Sequence, residues 1–352
     1  MVKKFFILKK TSMLIVYPLT SILFFGLCLG TSRGMSGNEN TSALEGAKLE
    51  GRLVLYTTQS INDSSRMVKK FEDKYPFLKV ELYRAPPDTL LHKIVNEAKA
   101  RKYIPDVIEL SGFYASVLKK ERLTTSYISP EYKAFPEGFK DPDGNWTSTY
   151  LNMYLIGYNT KLLSRKEIPE TFEGFLHPRW KGKKIGFFDI KEVEWFANIL
   201  KIMGEEKGMD FLRKLAGQEL CYRRGMSLIT DLIIAGEFPV GTVFAQSVEN
   251  RKKKGAPVDW VGVAPVIAKL GTIGLAANAP HPRAARLYID FCLSKEGQTV
   301  LVESERIPAR PDIEAEKLRA FRNLKIYPSD LSLADKFTSY SKQFAEVLKL
   351  KP

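Results

Sequence analysis

A short apolar run, Leu53-Val54-Leu55-Tyr56, gives way to Thr57, Thr58, Gln59, Ser60, Asn62, Asp63, Ser64 and Ser65. Met67, Val68 and Phe71 then open a helical pattern. Hydroxyls and unpaired backbone amides at a helix start donate hydrogen bonds into a region of positive potential, which suits a phosphate or a carboxylate. Capping by Asp63 or Ser64 accounts for one or two of these side chains. It does not account for hydroxyls that begin at Thr57.

Other chemistries have thinner support. The chain holds three histidines (His92, His177, His281) and three cysteines (Cys28, Cys221, Cys292), with no CxxC and no His-rich tract, so a zinc site is not expected. Neither Cys221 nor Cys292 has a histidine close in sequence, as an activated thiol nucleophile would want. Each reads more simply as a small hydrophobe, although an oxidising compartment would also permit a disulfide.

The formal net charge is +14, and removing Lys3, Lys4, Lys9 and Lys10 leaves +10 on the remainder. That excess is a solvated basic surface or a preference for anionic partners. The one compact basic run, Arg251 to Lys254, ends a helix-like stretch, where cations complement the dipole. Nucleic acid is not expected as a partner.

The four lysines precede an apolar stretch from Met13 to Leu29, and then Gly30, Thr31 and Ser32. This is the layout of a secretory signal over 1–32, with a retained membrane anchor as the alternative. Pro18 and the modest length favour cleavage. Leu27 is too large for the usual residue before a lipidated cysteine at Cys28. Residues 33–48 are small and polar, and are expected to be a flexible lead-in.

Strand and helix signals alternate through the rest. Strands are expected at 53–56, 77–83 and 106–110, with helices near 64–74, 88–101 and 113–120. A long extended run at 150–158 leads to a second series: strand 184–188, helices 193–203 and 208–216, a helix ending at 236, and strand 240–244. A second extended stretch at 261–276 precedes a helix over 282–293. Two α/β units joined by two extended connections imply two lobes across a cleft. Lobe one takes 49–150 plus 272–312, and lobe two takes 151–271 plus 313–352. In such sheets ligands sit beyond the carboxyl ends of the strands.

Several stretches carry a resemblance: LVLYTTQS (53–60), DVIELSG (106–112), IGYNTKLL (156–163), IPETFEGFLHPRWKGKKIGF (168–187), AGEFPVG (235–241), NAPHPRAARLYIDFCLSKEGQ (278–298) and RIPARPDI (306–313). In their order and spacing the chain resembles the periplasmic substrate-binding proteins of ABC importers, in the ferric-iron-binding branch of the type II fold. The resemblance implies an exported receptor that closes on a solute and delivers it to a membrane permease. Iron-binding members hold Fe(III) through adjacent tyrosines just after the strand at 240–244, where this chain has Phe244-Ala245-Gln246-Ser247. Some members add a His where this chain has Ser60, or a Glu where it has Ser111. Neutral side chains are poor donors for a hard trivalent cation, so the fold is expected without the metal and without a cofactor.

The candidate ligand set is therefore Thr57, Thr58, Ser60, Ser111, Gly112, Gln246 and Ser247. Arg310 is the first choice for a fixed positive group, and Arg224 the second. Asp189 either caps the next helix or holds an amino group. Tyr56, Phe113, Tyr150, Phe187 and Phe188 either wall an organic ligand or fill the core. The leading function is capture of a small organic anion, by a monomer, for ABC import. Binding of iron or an iron chelate is the alternative, and an enzyme on the same fold the remote one.

Overall fold

The computed structural model describes residues 36–189 and 192–348, so the expected signal over 1–32 lies outside the described residues. In the first half of the chain, helix α1 (Ser36–Glu50) leads to strand β1 (Arg52–Thr57), α2 (Ile61–Lys74), β2 (Lys79–Arg84), α3 (Pro87–Lys99), β3 (Val107–Ser111) and α4 (Gly112–Lys120). The short β4 (Thr124–Thr125) and the long β5 (Thr147–Asn159) follow. The second series runs β6 (Ile185–Phe188), α5 (Val193–Met203), α6 (Glu205–Ala216), β7 (Cys221–Arg223), α7 (Met226–Ala235), β8 (Val240–Phe244) and α8 (Ala245–Lys252). The chain closes with β9 (Val258–Val261), β10 (Val266–Ala276), α9 (Pro282–Leu293), α10 (Lys295–Glu303), β11 (Ile307–Pro308), β12 (Ile326–Pro328) and α11 (Phe337–Val347).

The main strand order is β2-β1-β3-β10-β5-β8-β6-β7. Parallel pairing holds within β2-β1-β3 and within β8-β6-β7, while β10 and β5 run antiparallel to their neighbours between these blocks. Each parallel block is a βαβ unit, and β10 and β5 lie between the two, β10 beside β3 and β5 beside β8. On one face of the first block, Tyr56, Ile108 and Leu110 pack against Leu90 and Ile94 of α3 and Leu118 of α4. On its other face Leu53, Leu55 and Val107 join Phe71 of α2 and Tyr288 of α9 in the main core. This is the alternation that a strand imposes on successive side chains.

Local signals fix the helix ends that face the middle of the molecule. Ser60 Oγ accepts from Asp63 N at 3.2 Å and starts α2. Ser294 Oγ does the same for Gly297 N at the start of α10. Gly236 ends α7 at φ 81°, a left-handed conformation in which glycine avoids a Cβ clash.

The expected flexible lead-in is corrected: residues 36–50 form helix α1. Ala47 is fully buried, and Glu50 Oε2 accepts from Arg283 N at 3.0 Å and Ala284 N at 2.7 Å. A carboxylate from one helix thus caps the orphan amides of α9, an anchor invisible in local composition.

After β12 the chain forms a bridge. Asp330 N donates to Asn198 Oδ1 of α5 at 2.9 Å, and Lys120 of α4 pairs with Asp335 at 2.8 Å. The 3-10 turn Leu331–Lys336 thereby ties the helix that follows β3 to the helix that follows β6.

Candidate functional site

The middle of the fold is floored by β5 and β10. Tyr150 lies opposite Gly271, and Asn152 opposite Lys269. Residues two apart share a face of a strand, so Tyr150, Asn152 and Tyr154 line up with Gly271 and Lys269. Gly271 is required there. A Cβ added to it would meet the Tyr150 ring at 2.3 Å, so the phenol lies flat on bare backbone. Both tyrosines are buried, whereas Asn152 and Lys269 keep partial exposure. Among the described residues nothing hydrogen-bonds the Asn152 amide.

One end of this floor belongs to Arg306. Its guanidinium stands 5.1 Å from the Tyr150 ring centroid, in cation–π range. Nε and Nη2 donate to Asp63 Oδ2, in the first turn of α2, at 3.0 and 2.6 Å. Nη1 donates to Gln246 Oε1, in the first turn of α8, at 2.6 Å. Arg306 thus joins the helix after β1 to the helix after β8. A guanidinium has five N–H donors, so two remain for a ligand. On β3, burial pushes the Glu109 carboxyl up to about 7, although Thr57 Oγ1 and Gln59 Nε2 donate to it at 3.0 and 3.2 Å.

The other end sets one lysine against two carboxyls. Glu192 Oε2 accepts from Lys269 Nζ at 3.0 Å and from the Tyr154 hydroxyl. Glu194 is 4% exposed, and its Oε1 is buried without a hydrogen-bond partner. Burial pushes its carboxyl up to about 7 against the pull of Lys269. Burial disfavours the Lys269 ammonium, but Glu192 and Glu194 outweigh it and raise its pKa. Tyr154 is held well above the usual phenol range by burial and then by the same two carboxylates.

The residues expected from sequence separate into groups. Ser60, Ser111, Gly112, Gln246 and Ser247 all stand where strands β1, β3 and β8 pass into α2, α4 and α8. Ser111 Oγ is buried and unpartnered, and Ser111 lies opposite Gly271 on β10. Gly112 is covered: an added Cβ would meet Leu331 at 2.6 Å. Thr58 pairs by its backbone N with Glu109 O at 3.0 Å. Thr57 is fully buried, and its hydroxyl is spent on Glu109 and on Gln59 N. Ser247 Oγ lies 3.4 Å from Ser227 Oγ. Asp189 and Arg224 approach each other at 3.7 Å, with the Arg224 side chain 74% exposed.

Arg310 is corrected. It is not a free cation at the cleft but an internal strut. It pairs with Asp312 at 2.6 Å and with Glu131, and donates to Leu293 O at 3.1 Å. Arg306 holds the interlobe position instead. Of the aromatic candidates only Tyr150 joins the floor with Arg306. Phe187 and Phe188 pack on Trp195, Tyr56 and Phe113 are buried in lobe one, and all four are core. Lys269, Asn152, Glu192 and Glu194 were missed because isolated polar residues in apolar runs carry no periodic signal.

Cys221 and Cys292 are free thiols. Burial raises both above the ordinary thiol range, which leaves neither an activated nucleophile. His281 Nδ1 sits 2.9 Å from Asp106, and His177 Nδ1 accepts from Arg179 N at 3.2 Å. Among the described residues no three His, Cys, Asp or Glu side chains are grouped to hold a metal, and no helix is long and apolar enough to cross a membrane.

Comparison with known proteins agrees with this geometry. Iron-bound HitA from Pseudomonas aeruginosa superposes with a TM-score of 0.73 at 21% identity, covering 83% of this chain and 99% of that one. AfuA from Actinobacillus pleuropneumoniae, with fructose-6-phosphate bound, gives 0.72 at 24% identity, covering 86% and 100%. An uncharacterised Haemophilus influenzae protein is 26% identical over 265 residues, 72% of this chain and 75% of that protein. The shared architecture is the two-lobe periplasmic binding fold. Residues 102–330, more than half of the chain, match the family described as bacterial extracellular solute-binding protein. The chain belongs to the bacterial extracellular solute-binding proteins, the ligand-capturing receptors of ABC transporters.

Proposed function

We propose that this receptor captures a small organic anion at the Tyr150–Gly271 end of the cleft and releases it unchanged to its permease. The observation that carries the reading is Arg306. It sits partly exposed between the first turns of α2 and α8, over the ring of Tyr150, with two N–H donors unspent. The buried Ser111 hydroxyl without a partner and the amide-rich start of α2 supply further donors. An incoming carboxylate or phosphate would share Arg306 with Asp63, or displace it.

The lobes would part and close about β5 and β10, with boundaries at 150/151 and at 271/272; the pairing of the two strands shifts register between Gly271 and Thr272. Export by the N-terminal segment, work as a monomer and independence from nucleic acid belong to the same reading. Iron is the second reading, favoured by the likeness to iron-bound HitA.

The test is calorimetric titration of protein from about residue 33 onward, stripped of ligand by unfolding and refolding. Organic phosphates, carboxylates, ferric citrate and ferric ion form the panel. Micromolar or tighter binding of an organic anion that Arg306→Ala abolishes supports the proposal. Binding of iron alone, with an absorption band in the visible, refutes it.

A further inference from the structure

We propose that the far end of the cleft floor is a second subsite, built from Asn152, Lys269, Glu192 and Glu194, which recognises uncharged hydroxyl groups, so that the solute is a polyhydroxylated organic anion. The inference rests on the anion reading above and adds what the rest of the ligand must be.

Three features point there. First, Lys269 Nζ pairs with Glu192 at 3.0 Å and also faces Glu194, whose burial favours the neutral carboxyl, so the lysine charge is already matched within the cluster. A neutral patch with both donors and acceptors fits neutral hydroxyls, which both give and take hydrogen bonds. A cationic amine would have to displace Lys269 from Glu192, and a second anion would meet both carboxylates. Second, hydrogen-bonding capacity is left over. Glu194 Oε1 is buried with no partner in a residue 4% exposed, within the electrostatic reach of Lys269 and Tyr154. The half-buried Asn152 amide, between the two tyrosines and opposite Lys269, has no protein partner among the described residues. A buried polar atom without a partner is costly, and a ligand hydroxyl would satisfy it.

Third, the spacing fits. Tyr150 marks the Arg306 end and Tyr154 the Glu192 end. Four residues of extended strand span about 13 Å. That accommodates a hexose-sized body with an anionic group at one end, and leaves an inorganic anion touching only the Arg306 end. Lys269, opposite Asn152, stands between the two ends.

The test is titration of refolded protein with fructose 6-phosphate, glucose 6-phosphate, glycerol 3-phosphate and inorganic phosphate, for the wild type, Asn152→Ala and Glu194→Gln. Thermal melts verify folding, and the Asn152 side chain makes no protein bond whose loss would unfold the chain. The expected result is hexose phosphate binding at least 100-fold tighter than inorganic phosphate. Each variant should lose tenfold or more for the hexose phosphate and less than threefold for inorganic phosphate. Equal affinity for all four phosphates, or wild-type hexose phosphate affinity in both variants, overturns the subsite while leaving the anion reading intact. Binding of none of the four overturns the subsite too. It overturns the anion reading as well if carboxylates also fail.

Discussion

Arg306 Nη1 donates to Gln246 Oε1 at 2.6 Å, linking the turn before β11 to the first turn of α8. The same guanidinium holds Asp63 at the start of α2. One side chain therefore senses both lobes and the floor between them, whereas Arg310, four residues later, is enclosed by Asp312, Glu131 and the Leu293 carbonyl.

These two arginines should respond oppositely to removal. Arg306→Ala is expected to weaken ligand binding by at least 100-fold with a modest fall in melting temperature, because Asp63 lies near the cleft and gains water. Arg310→Ala is expected to cost about 2 kcal/mol of stability through lost buried hydrogen bonds and to leave affinity within threefold. Chemical denaturation and calorimetry on both variants separate the cases. An Arg310→Ala protein that folds well but fails to bind would reverse the assignment.

Gly271→Ala places a methyl 2.3 Å from the Tyr150 ring. The ring is rigid and buried, so it has to swing off the strand. Overpacking of this kind costs about 1–3 kcal/mol, and the swing also takes the ring from beneath Arg306. Stability and affinity should fall together, and because Tyr150→Ala removes the partner of the clash, the cost of the double variant should be less than the sum of the two single costs.

The pH dependence of stability follows from Glu109 and Glu194, each pushed from 4.5 to about 7 by burial. A raised carboxyl pKa means the folded state binds the proton more tightly than the unfolded one. Its contribution is complete below pH about 4.5 and is lost as pH rises through 7. Each group contributes roughly 3 kcal/mol over that interval, at 1.36 kcal/mol per unit. Urea melts of Glu194→Gln between pH 5 and pH 8 should show a shallower decline than wild type. An unchanged slope would place Glu194 in a more solvated setting.

Glu50→Ala removes the acceptor for Arg283 N and Ala284 N. Loss of a helix cap costs about 1 kcal/mol, which for a chain of this size is a fall of roughly 1–2 °C in melting temperature. Hydrogen exchange should rise at the start of α9 and leave α10 unchanged.

Local chemistry made much of the fold legible. The apolar run at 53–56 became β1, and the pattern over 282–293 became α9 with the same bounds. The hydroxyls after β1 do not act as one set: Ser60 caps α2, Thr57 serves Glu109, and Ser64 Oγ is buried without a partner, as is Ser111 Oγ after β3. Periodicity and capping operate within a few residues, so they survive in a single chain.

Which polar residues meet depends on contacts far apart in the chain. Arg306 and Arg310 sit in one six-residue stretch, RIPARP, and nothing in their types distinguishes them. Pairing of Ile307 and Pro308 with Leu151 and Tyr150 sends the first arginine over the cleft floor and the second back toward α9. Lys269, Asn152, Glu192 and Glu194 likewise come from three separate segments and acquire meaning only when β10 registers against β5. The elements are readable from local composition because their signals are short in range. Long-range strand register assembled the site, because it brings together side chains more than a hundred residues apart.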